Sequence, residues 1–383
     1  MRILAIETSC DDTGIAIIEG EKDNFKILAN TLASQTEIHK EWGGVVPMLA
    51  QREHQKNLIP LLGEAIKKSN LSSSKNPTFN EEKIKELLGR EEDLYQNFKQ
   101  FIESNQIPDF DAIAVTEGPG LDPCLWVGIN FAKALSSYLN IPIIPINHIE
   151  AHIFSGLIQK ENFKNFSSPK EIKFPALTLI VSGGHTQLVL IKDLERYEII
   201  GETRDDAAGE CFDKIAKLLG MEYPGGPKIS KKANEWKKES SFSFPRPMLK
   251  HDNLDFSFSG LKTAVLYHLK NLNQLTEDKK REIAFEAQEA ITDVLTIKTI
   301  EAAKKYSIKT LMIGGGVSAN QKLRDKIKEK LEKEEINPEL VFPIKKMATD
   351  NALMVGITAL YKYNEKRTTN LKNLKSKPNL RLD

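Results

Sequence analysis

The chain has 383 residues, of which 40% are hydrophobic and 28% charged, and its formal net charge is +1. These proportions are typical of a globular protein long enough for two or three domains. The balanced charge excludes a global field that attracts nucleic acid, so an RNA site would have to be a local patch. Three widely spaced cysteines, Cys10, Cys124 and Cys211, do not suit a disulfide framework and favour a reducing compartment.

The first residues and the apolar runs indicate a cytoplasmic protein. Glu7 interrupts the first apolar run too early for the core of a secretory signal. No apolar run approaches the ~20 residues that a membrane-spanning helix needs. We therefore expect no membrane contact.

Strand–loop–strand patterns occur twice along the chain. They lie at residues 3–6 and 15–18, and about 170 residues later at 176–181 and 187–191. A further apolar strand at 310–313 runs into Gly314-Gly315-Gly316. The repetition predicts two related α/β lobes.

The spacing of apolar residues predicts helices between these strands. Pro47 is suited to the first turn of a helix that runs to about Lys68. Further helices are predicted at 125–139, 212–219, 261–271, 281–305, 319–332 and 350–361.

The predicted domains are an N-terminal lobe over residues 1–147 and a C-terminal lobe over 148–363, whose last helix can return to the N-terminal lobe. A charged insertion at about 70–108 interrupts the first lobe, with one amphipathic helix over 80–102. A basic tail follows at 364–383, and such a segment is more often a solvated end than an RNA-binding arm.

His148 and His152 lie four residues apart, directly after the predicted strand 141–146. If a helix begins near His148, both imidazoles lie on one face and can hold a divalent metal with a third ligand from elsewhere. Two polar helix residues near a surface loop are the commoner explanation of such a pair taken alone. Ile149 stands where a zincin protease has its glutamate, and Glu150 points to another side of the helix, so metalloprotease chemistry is disfavoured.

Glycine-rich loops follow two of the predicted strands. Ser182-Gly183-Gly184 lacks side-chain bulk, so its backbone N–H groups can approach a phosphate or an acyl oxygen. Gly314-Gly315-Gly316 precedes a helix N-terminus, where anions are favoured, and Asn320 would lie one turn into that helix. Most glycine pairs merely form turns, but the two loops together predict a nucleotide in a cleft between the lobes.

Acidic residues are the other candidates for a functional role. Asp11 and Asp12 lie in the first loop, and Asp350 heads a predicted helix. An aspartate at that place is usually an N-cap. The alternative is that Asp350 completes a His–His–Asp metal site.

Several segments together resemble one family, the tRNA N(6)-adenosine threonylcarbamoyltransferases, called TsaD in bacteria. The resemblance covers most of the chain in the family's motif order, apart from the insertions and the end of the tail. The segments are Ile6-Glu7-Thr8-Ser9-Cys10-Asp11, Gly43-Gly44-Val45-Val46-Pro47, the His148/His152 pair, Val181-Ser182-Gly183-Gly184-His185-Thr186, Tyr223-Pro224-Gly225-Gly226-Pro227, the run from Asp255 to Thr263, Gly315-Gly316-Val317-Ser318-Ala319-Asn320 and Thr349-Asp350-Asn351-Ala352.

The resemblance implies a two-lobed actin/Hsp70/sugar-kinase-like (ASKHA) fold of the α/β class. Each lobe would have a ribonuclease-H-like core, and the active site would lie in the interlobe cleft. The implied reaction transfers a threonylcarbamoyl group from threonylcarbamoyl-AMP to the exocyclic amine of an adenosine in tRNA, with release of AMP. That adenosine lies 3′ of the anticodon in tRNAs that read codons beginning with A.

The resemblance also implies roles for individual residues. His148, His152 and Asp350 would bind one divalent metal ion per subunit, Fe or Zn. Asp11 is the candidate for removing the amine proton. The residues expected to bind the acyl-adenylate are Ile180, Val181, Ser182, Gly183, Gly184, Asp213, Gly226 and Asn320.

The expected partners are tRNA, threonylcarbamoyl-AMP, a TsaB-like paralogue and a TsaE-like ATPase. Two alternatives stay open at this point. A kinase or ATPase of the same superfamily would have similar glycine loops but no need of the histidine pair. A non-catalytic scaffold subunit of the same complex would share the fold, but the presence of both histidines and Asp350 argues against it.

Overall fold

The computed structural model describes residues 1–21, 24–73, 77–158, 171–363 and 368–382. They form two compact units, one of Met1–Lys170 with Asp350–Leu382 and one of Glu171–Thr349. In the part of the chain so described, no helix is long and apolar enough to cross a membrane.

Each unit is built on a five-stranded sheet. The first sheet has the order β3-β2-β1-β4-β5 and the second the order β10-β9-β6-β7-β8. The strands are β1 (Arg2–Glu7), β2 (Asp12–Glu21), β3 (Asn24–Ser34), β4 (Ala112–Gly118), β5 (Ile143–Asn147), β6 (Ala176–Val181), β7 (Thr186–Asp193), β8 (Arg196–Glu202), β9 (Thr310–Gly314) and β10 (Glu339–Val341).

The helices α1 to α6 and α12 belong to the first unit, and α7 to α11 belong to the second. They are α1 (Thr36–Lys40), α2 (Pro47–Ser69), α3 (Glu81–Leu88), α4 (Glu92–Ser104), α5 (Asp122–Leu139), α6 (His148–Ser155), α7 (Ala208–Leu218), α8 (Gly225–Asn234), α9 (Ser259–Lys270), α10 (Glu277–Lys305), α11 (Gln321–Lys333) and α12 (Ala352–Lys362).

The two sheets share one topology. In the first, β1, β2 and β3 form an antiparallel meander, and β4 and β5 continue from β1 in parallel. In the second, β6, β7 and β8 form the meander, and β9 and β10 continue from β6 in parallel. This is the ribonuclease-H-like arrangement, and the prediction of two such cores in an α/β fold is confirmed.

Parallel pairing at the centre of each sheet determines where loops meet. Residues 3–7 of β1 and all of β6 are buried, as expected for central strands covered on both faces. Ile6 pairs with Val115 of β4, and Ile180 pairs with Gly314 of β9. The loops at the carboxyl ends of each parallel pair therefore lie side by side.

The units divide the chain differently from the predicted boundaries at 147 and 363. The first unit continues past residue 147 through helix α6, and the chain re-enters it at Asp350. The physical reason is that α6 packs against α12, and α12 packs against β1 and β2 of the same sheet.

Two local predictions need correction. The single helix expected over 80–102 is wrong, because α3 ends at Leu88 and α4 begins at Glu92, with Gly89 between them. The amphipathic character of the segment is present, since Ile84, Leu88 and Phe98 are buried. These helices pack against α2 and α5, so this part of the insertion is an ordered piece of the first unit.

The tail is also different from the solvated end that its charge predicts. Residues 371–381, here called the C-terminal strap, lie across the carboxyl ends of β4 and β5. The backbone N–H of Lys377 donates to the Glu117 carbonyl at 2.7 Å, and the side chain of Asn147 donates to the Arg381 carbonyl at 3.1 Å. Leu374 is buried in the core of the unit. Residues 364–367 of the predicted tail lie outside the described residues.

Gly118 is in close contact with the strap, so it provides a test of the strap. A Cβ at this position would lie 1.9 Å from the Lys377 carbonyl oxygen, and φ is +151°, a value that favours glycine. Gly118→Ala is expected to displace the strap and lower the free energy of unfolding by about 2–4 kcal/mol. Urea denaturation measures the loss, and faster tryptic cleavage after Lys372 or Lys375 reports the displacement.

Gly44→Ala is the matched control in the same unit, because nothing lies within 4 Å of a Cβ there. It should leave both measurements near those of the wild type. If trypsin cleaved the C-terminal strap of Gly118→Ala no faster than that of the wild type, the strap would not depend on this contact.

Candidate functional site

Helix α6 carries the histidine pair directly after β5, as predicted. Asn147 is its N-cap, and the side-chain oxygen of Asn147 accepts hydrogen bonds from the backbone N–H groups of Ile149 (2.8 Å) and Glu150 (3.2 Å). Every residue of α6 is buried. The helix is therefore a rigid support in the core and not a surface turn, so the interpretation of the pair as surface residues is wrong.

Glu150 takes no part in the histidine cluster. Its carboxylate pairs with the ammonium group of Lys362 at the end of α12. The prediction that Glu150 points away from the histidines is thus confirmed, and the ion pair ties α6 to α12.

Asp350 lies immediately before α12, but it is not the helix cap. Asn351 is the N-cap, and its side-chain oxygen accepts from the backbone N–H of Met354 at 3.1 Å. The capping role expected for an aspartate at this place is therefore filled by the next residue. The carboxylate of Asp350 is directed at the histidines instead.

The three side chains converge on one point. The Nε2 atom of His152 lies 3.0 Å from Oδ1 of Asp350, and Nε2 of His148 lies 3.6 Å from the same oxygen. One donor atom from each of the three residues lies within 4.8 Å of the other two. Two imidazole nitrogens and a carboxylate oxygen at this spacing could hold a single metal ion.

His152 supplies a separate observation that fits a metal. Its side chain is 1% exposed, yet among the described residues neither of its ring nitrogens has a hydrogen-bond partner. The contact of Nε2 with Asp350 is short, but it lacks the geometry of a hydrogen bond. A buried ring nitrogen without a partner is costly. An imidazole nitrogen and a carboxylate oxygen that lie close together without a hydrogen bond between them fit two ligands of one bound ion.

The charges around the cluster also favour a cation. Burial alone would lower the pKa of His148, but the carboxylates of Asp350 and Glu7 raise it to about 9. Burial and the charge of Asp350 raise the pKa of Asp11, and the same two causes raise the pKa of Asp12 to about 7. Several carboxylates are thus crowded around two imidazoles, and a divalent ion would relieve their repulsion.

Asp11 and Asp12 lie close enough to the cluster for the charge of Asp350 to contribute to the raised pKa of both carboxyls. The Asp11 carbonyl accepts from the backbone N–H of Gln35 at 3.0 Å, which holds the loop against the start of α1. The Oδ1 atom of Asp12 is buried and without a partner in the described parts of the chain. The catalytic role of Asp11 stays a prediction.

His54, which sequence reasoning missed, anchors this first loop from α2. Its Nδ1 lies 2.7 Å from the Thr13 hydroxyl, and its Nε2 lies 3.0 Å from the Cys10 carbonyl oxygen. Nε2–H can therefore donate to Cys10 while Nδ1 accepts from Thr13. Burial lowers the pKa of His54 to about 4, so the ring is neutral in the folded chain.

The neutral state of His54 predicts a pH dependence of stability. Because its pKa in the folded chain is below the ordinary 6.5, the unfolded chain binds the proton first as pH falls. This contribution to stability is complete above about pH 6.5 and is lost towards pH 4, by about 3 kcal/mol. The stability advantage of the wild type over His54→Gln should shrink by that amount between about pH 7.5 and 4.5. An advantage that stays constant in urea denaturation over this range would contradict the assignment.

In the second unit, the loop 182–184 lies beside the N-terminus of α7. The Ser182 hydroxyl accepts from the backbone N–H groups of Gly184 (3.3 Å) and His185 (3.1 Å), and the Ser182 carbonyl accepts from Gly209 (3.1 Å). A Cβ on Gly209 would lie 2.5 Å from that carbonyl oxygen, so only glycine allows the approach. Ile180 and Val181 end β6 directly before this loop.

Open space lies above the glycines of this unit. A Cβ added to Gly183, Gly184 or Gly316 would meet nothing within 4 Å, and one added to Gly226 would meet only Phe212, at 3.9 Å. Asp213 accepts a hydrogen bond from the backbone N–H of Gly225 at 2.6 Å, which brings α7 and α8 together. The predicted adenylate-binding residues thus include glycines with free space beside them, as a bound ligand would need.

Asn320 is the N-cap of α11, so the prediction that it lies one turn into the helix is wrong. Its side-chain oxygen accepts from the backbone N–H of Leu323, and its amide group donates to Ser230 and Gln288. The side chain therefore fixes the end of the second glycine loop to α8 and α10. Contact of Asn320 with a nucleotide stays a prediction.

Comparison with known sequences gives one consistent family. The model of the family described as "TsaD: tRNA N6-adenosine threonylcarbamoyltransferase" matches residues 26–76 and 91–357. The protein named tRNA N6-adenosine threonylcarbamoyltransferase in Persephonella marina is 41% identical over 386 residues, which cover 100% of this chain and 96% of the relative. The protein of that name in Staphylococcus aureus is 40% identical over 370 residues, covering 96% and 94%.

Comparison with solved structures supports the fold. A crystal structure of full-length HypF in the phosphate- and nucleotide-bound form aligns with a TM-score of 0.50 and 12% sequence identity. The alignment covers 94% of this chain but 46% of HypF, so this chain spans less than half of that protein. With the two repeated sheets, the likeness identifies the two-lobed ASKHA-type α/β fold.

Proposed function

Because the chain belongs to the tRNA N6-adenosine threonylcarbamoyltransferase family, we propose that it transfers a threonylcarbamoyl group to the exocyclic amine of an adenosine in tRNA. The donor is threonylcarbamoyl-AMP, and the acceptor is the adenosine 3′ of the anticodon in tRNAs that read codons beginning with A. Within this family, the observation that carries the proposal is the convergence of His148, His152 and Asp350.

The reaction is an acyl transfer from an activated donor. The amine nitrogen of adenosine forms a bond to the carbamoyl carbon, and the bond from that carbon to the phosphate oxygen breaks. AMP leaves with the electron pair, and the amine loses one proton. Since the mixed anhydride is already activated, the protein has to position the reactants and accept the proton.

His148, His152 and Asp350 are the residues that would hold the metal ion, one per subunit. Imidazole nitrogen with carboxylate oxygen suits Fe or Zn. When bound, the ion supplies Lewis-acid stabilisation of the negative charge that develops on the transferred carbonyl group. Asp11 would accept the amine proton, and burial beside Asp350 raises the pKa of this carboxyl, which makes it a stronger base.

The second unit would bind the adenylate part of the donor. The free space at Gly183, Gly184 and Gly226 lets backbone N–H groups approach a phosphate. The adjacent N-terminus of α7 favours an anion. Ile180, Val181, Ser182, Asp213 and Asn320 complete the proposed set.

The proposed partners are tRNA, a TsaB-like paralogue and a TsaE-like ATPase, and the proposed location is the cytoplasm. A kinase or ATPase of the same fold is disfavoured because neither activity needs the buried histidine pair. A non-catalytic scaffold is disfavoured because all three donors of the cluster are present and converge.

The direct test is incubation of the purified protein with threonylcarbamoyl-AMP, the two partner proteins and tRNA, followed by mass spectrometry of the digested nucleosides. Threonylcarbamoyladenosine is expected in the tRNA, with one AMP released per modification. A tRNA with guanosine in place of the target adenosine is the matched control and should stay unmodified. ATP hydrolysis by this chain without tRNA modification would favour the kinase or ATPase alternative.

A further inference from the structure

Glu7 is a buried carboxylate to which the sequence assigns no role in the site. It is the last residue of β1, and its side chain is 0% exposed. Its Oε1 accepts from the backbone N–H of Ser9 at 2.7 Å, and its Oε2 accepts from the Thr116 hydroxyl. Burial of a carboxylate is costly unless its oxygens are paired, so its place in the core requires a reason.

Among the described residues, His148 is the ion-pair partner of Glu7. The Oε2 atom of Glu7 lies 3.6 Å from Nδ1 of His148, and the Ser9 hydroxyl lies 3.1 Å from the same nitrogen. The other ring nitrogen, Nε2, is directed at Asp350. The two nitrogens of His148 thus have separate surroundings, with Nδ1 facing Glu7 and Ser9 and Nε2 facing the candidate metal position.

We propose that Glu7, together with Ser9, is a positioning residue for the metal centre, an inference that rests on the metal-binding part of the proposed function. Glu7 and Ser9 hold the N–H of His148 at Nδ1, which leaves the lone pair of Nε2 for the ion. A carboxylate behind a ligating histidine fixes the tautomer and the ring orientation and raises the basicity of the ligand. Ser9 contributes twice, because its backbone N–H binds Glu7 and its hydroxyl contacts the imidazole.

The geometry separates this role from that of a residue needed only for folding. In glutamine, the amide oxygen could still accept from the backbone N–H of Ser9, and the amide N–H could donate to the Thr116 hydroxyl, which can accept as well as donate. The group that faces Nδ1 of His148, however, would change from a charged accepting oxygen to a neutral donating amide N–H if Glu7 became glutamine. Glu7→Gln therefore keeps the shape of the buried side chain and alters mainly its action on the imidazole.

The test measures binding of Zn²⁺ alone to metal-free protein, without donor, tRNA or partner proteins. Glu7→Gln is expected to weaken Zn²⁺ binding by about 10- to 100-fold. When Co²⁺ is bound in place of Zn²⁺, the visible absorption bands of the Glu7→Gln variant should be shifted from those of the wild type. The reason is that the strength of His148 as a metal ligand changes. These measurements need no enzymatic activity. A protein that does not transfer the threonylcarbamoyl group could therefore still show whether Glu7 affects metal binding.

Glu150→Gln is the matched control. It makes the same substitution at another buried carboxylate, on the helix that carries both histidines, but Glu150 faces Lys362. It is expected to lower stability while leaving the Zn²⁺ affinity and the Co²⁺ spectrum like those of the wild type. Wild-type Zn²⁺ affinity in folded Glu7→Gln would overturn the proposal. If Glu7→Gln does not fold, Ser9→Ala decides, since it removes only the hydroxyl: weaker Zn²⁺ binding supports the proposal and unchanged binding overturns it.

Discussion

Replacing His148 and His152 together by alanine is expected to remove the bound ion and slow threonylcarbamoyl transfer by about a thousandfold, equivalent to about 4 kcal/mol. The two imidazoles supply two of the three donor atoms that converge at the cluster. A single carboxylate near the surface does not retain a transition metal, so the Lewis-acid contribution is lost with the ion. Elemental analysis of the purified protein and nucleoside mass spectrometry measure the two effects on the same sample.

His251→Ala is the control for this experiment, because it removes an imidazole that is exposed and lies in the other unit. It should retain the ion and the activity. Asp350→Asn removes the charge of the third donor with little change of shape, and it should weaken ion binding without unfolding α12, whose cap is Asn351. A folded double variant that still binds one ion and transfers at the normal rate would refute the assignment of the ligands.

The second large effect is expected at Gly183. A methyl group there meets no protein atom within 4 Å, so Gly183→Ala should fold and melt like the wild type. If threonylcarbamoyl-AMP occupies this open space, the methyl group prevents the backbone N–H groups from approaching the phosphate of that molecule closely. Loss of one or two such charge-assisted hydrogen bonds should weaken donor binding by about 10- to 100-fold. The KM for threonylcarbamoyl-AMP measures this, with the metal content unchanged.

Gly260→Ala is the matched substitution in the same unit. Gly260 also has nothing within 4 Å of a Cβ, and it lies in the first turn of α9. Gly260→Ala should change neither the stability nor the KM for threonylcarbamoyl-AMP. An unchanged KM in both variants would mean that the space beside Gly183 is not used by the donor.

The histidine pair shows what a local sequence pattern can predict and what it cannot. An i, i+4 spacing directly after an apolar strand predicts both the helix and the common face of the two rings, and α6 has this geometry. Asp350 is 198 residues beyond His152, and no local pattern links them. Its role could be predicted only from the resemblance to a family, since capping was the simpler reading of the sequence.

Glu7 and His54 could not have been predicted from the sequence for a related reason. Their importance comes from the residues that the fold places around them, His148 in one case and the loop at Cys10 and Thr13 in the other. The C-terminal strap illustrates the same limit. Its lysines resemble a solvated tail, and some of the contacts that order it are made by backbone groups, which leave no trace in composition.

Secondary structure was predictable where periodicity was strong and less so where glycine was abundant. The long helix α10 and the central strands β1 and β6 follow directly from their apolar spacing. Helix α8 begins at Gly225-Gly226-Pro227, a composition typical of a turn, and was missed. The adjacent Asp213 carboxylate, which accepts from Gly225, helps to hold this helix start in place.

The central claim is that the His148–His152–Asp350 cluster binds one ion on which transfer depends. It is tested most directly by returning Zn²⁺ or Fe²⁺ in steps to metal-free protein and measuring bound ion and tRNA modification in the same samples, with donor and partner proteins in excess. Transfer should be negligible without metal, rise in proportion to bound ion and reach its plateau at one ion per chain. Full transfer by protein that contains no ion would contradict the account.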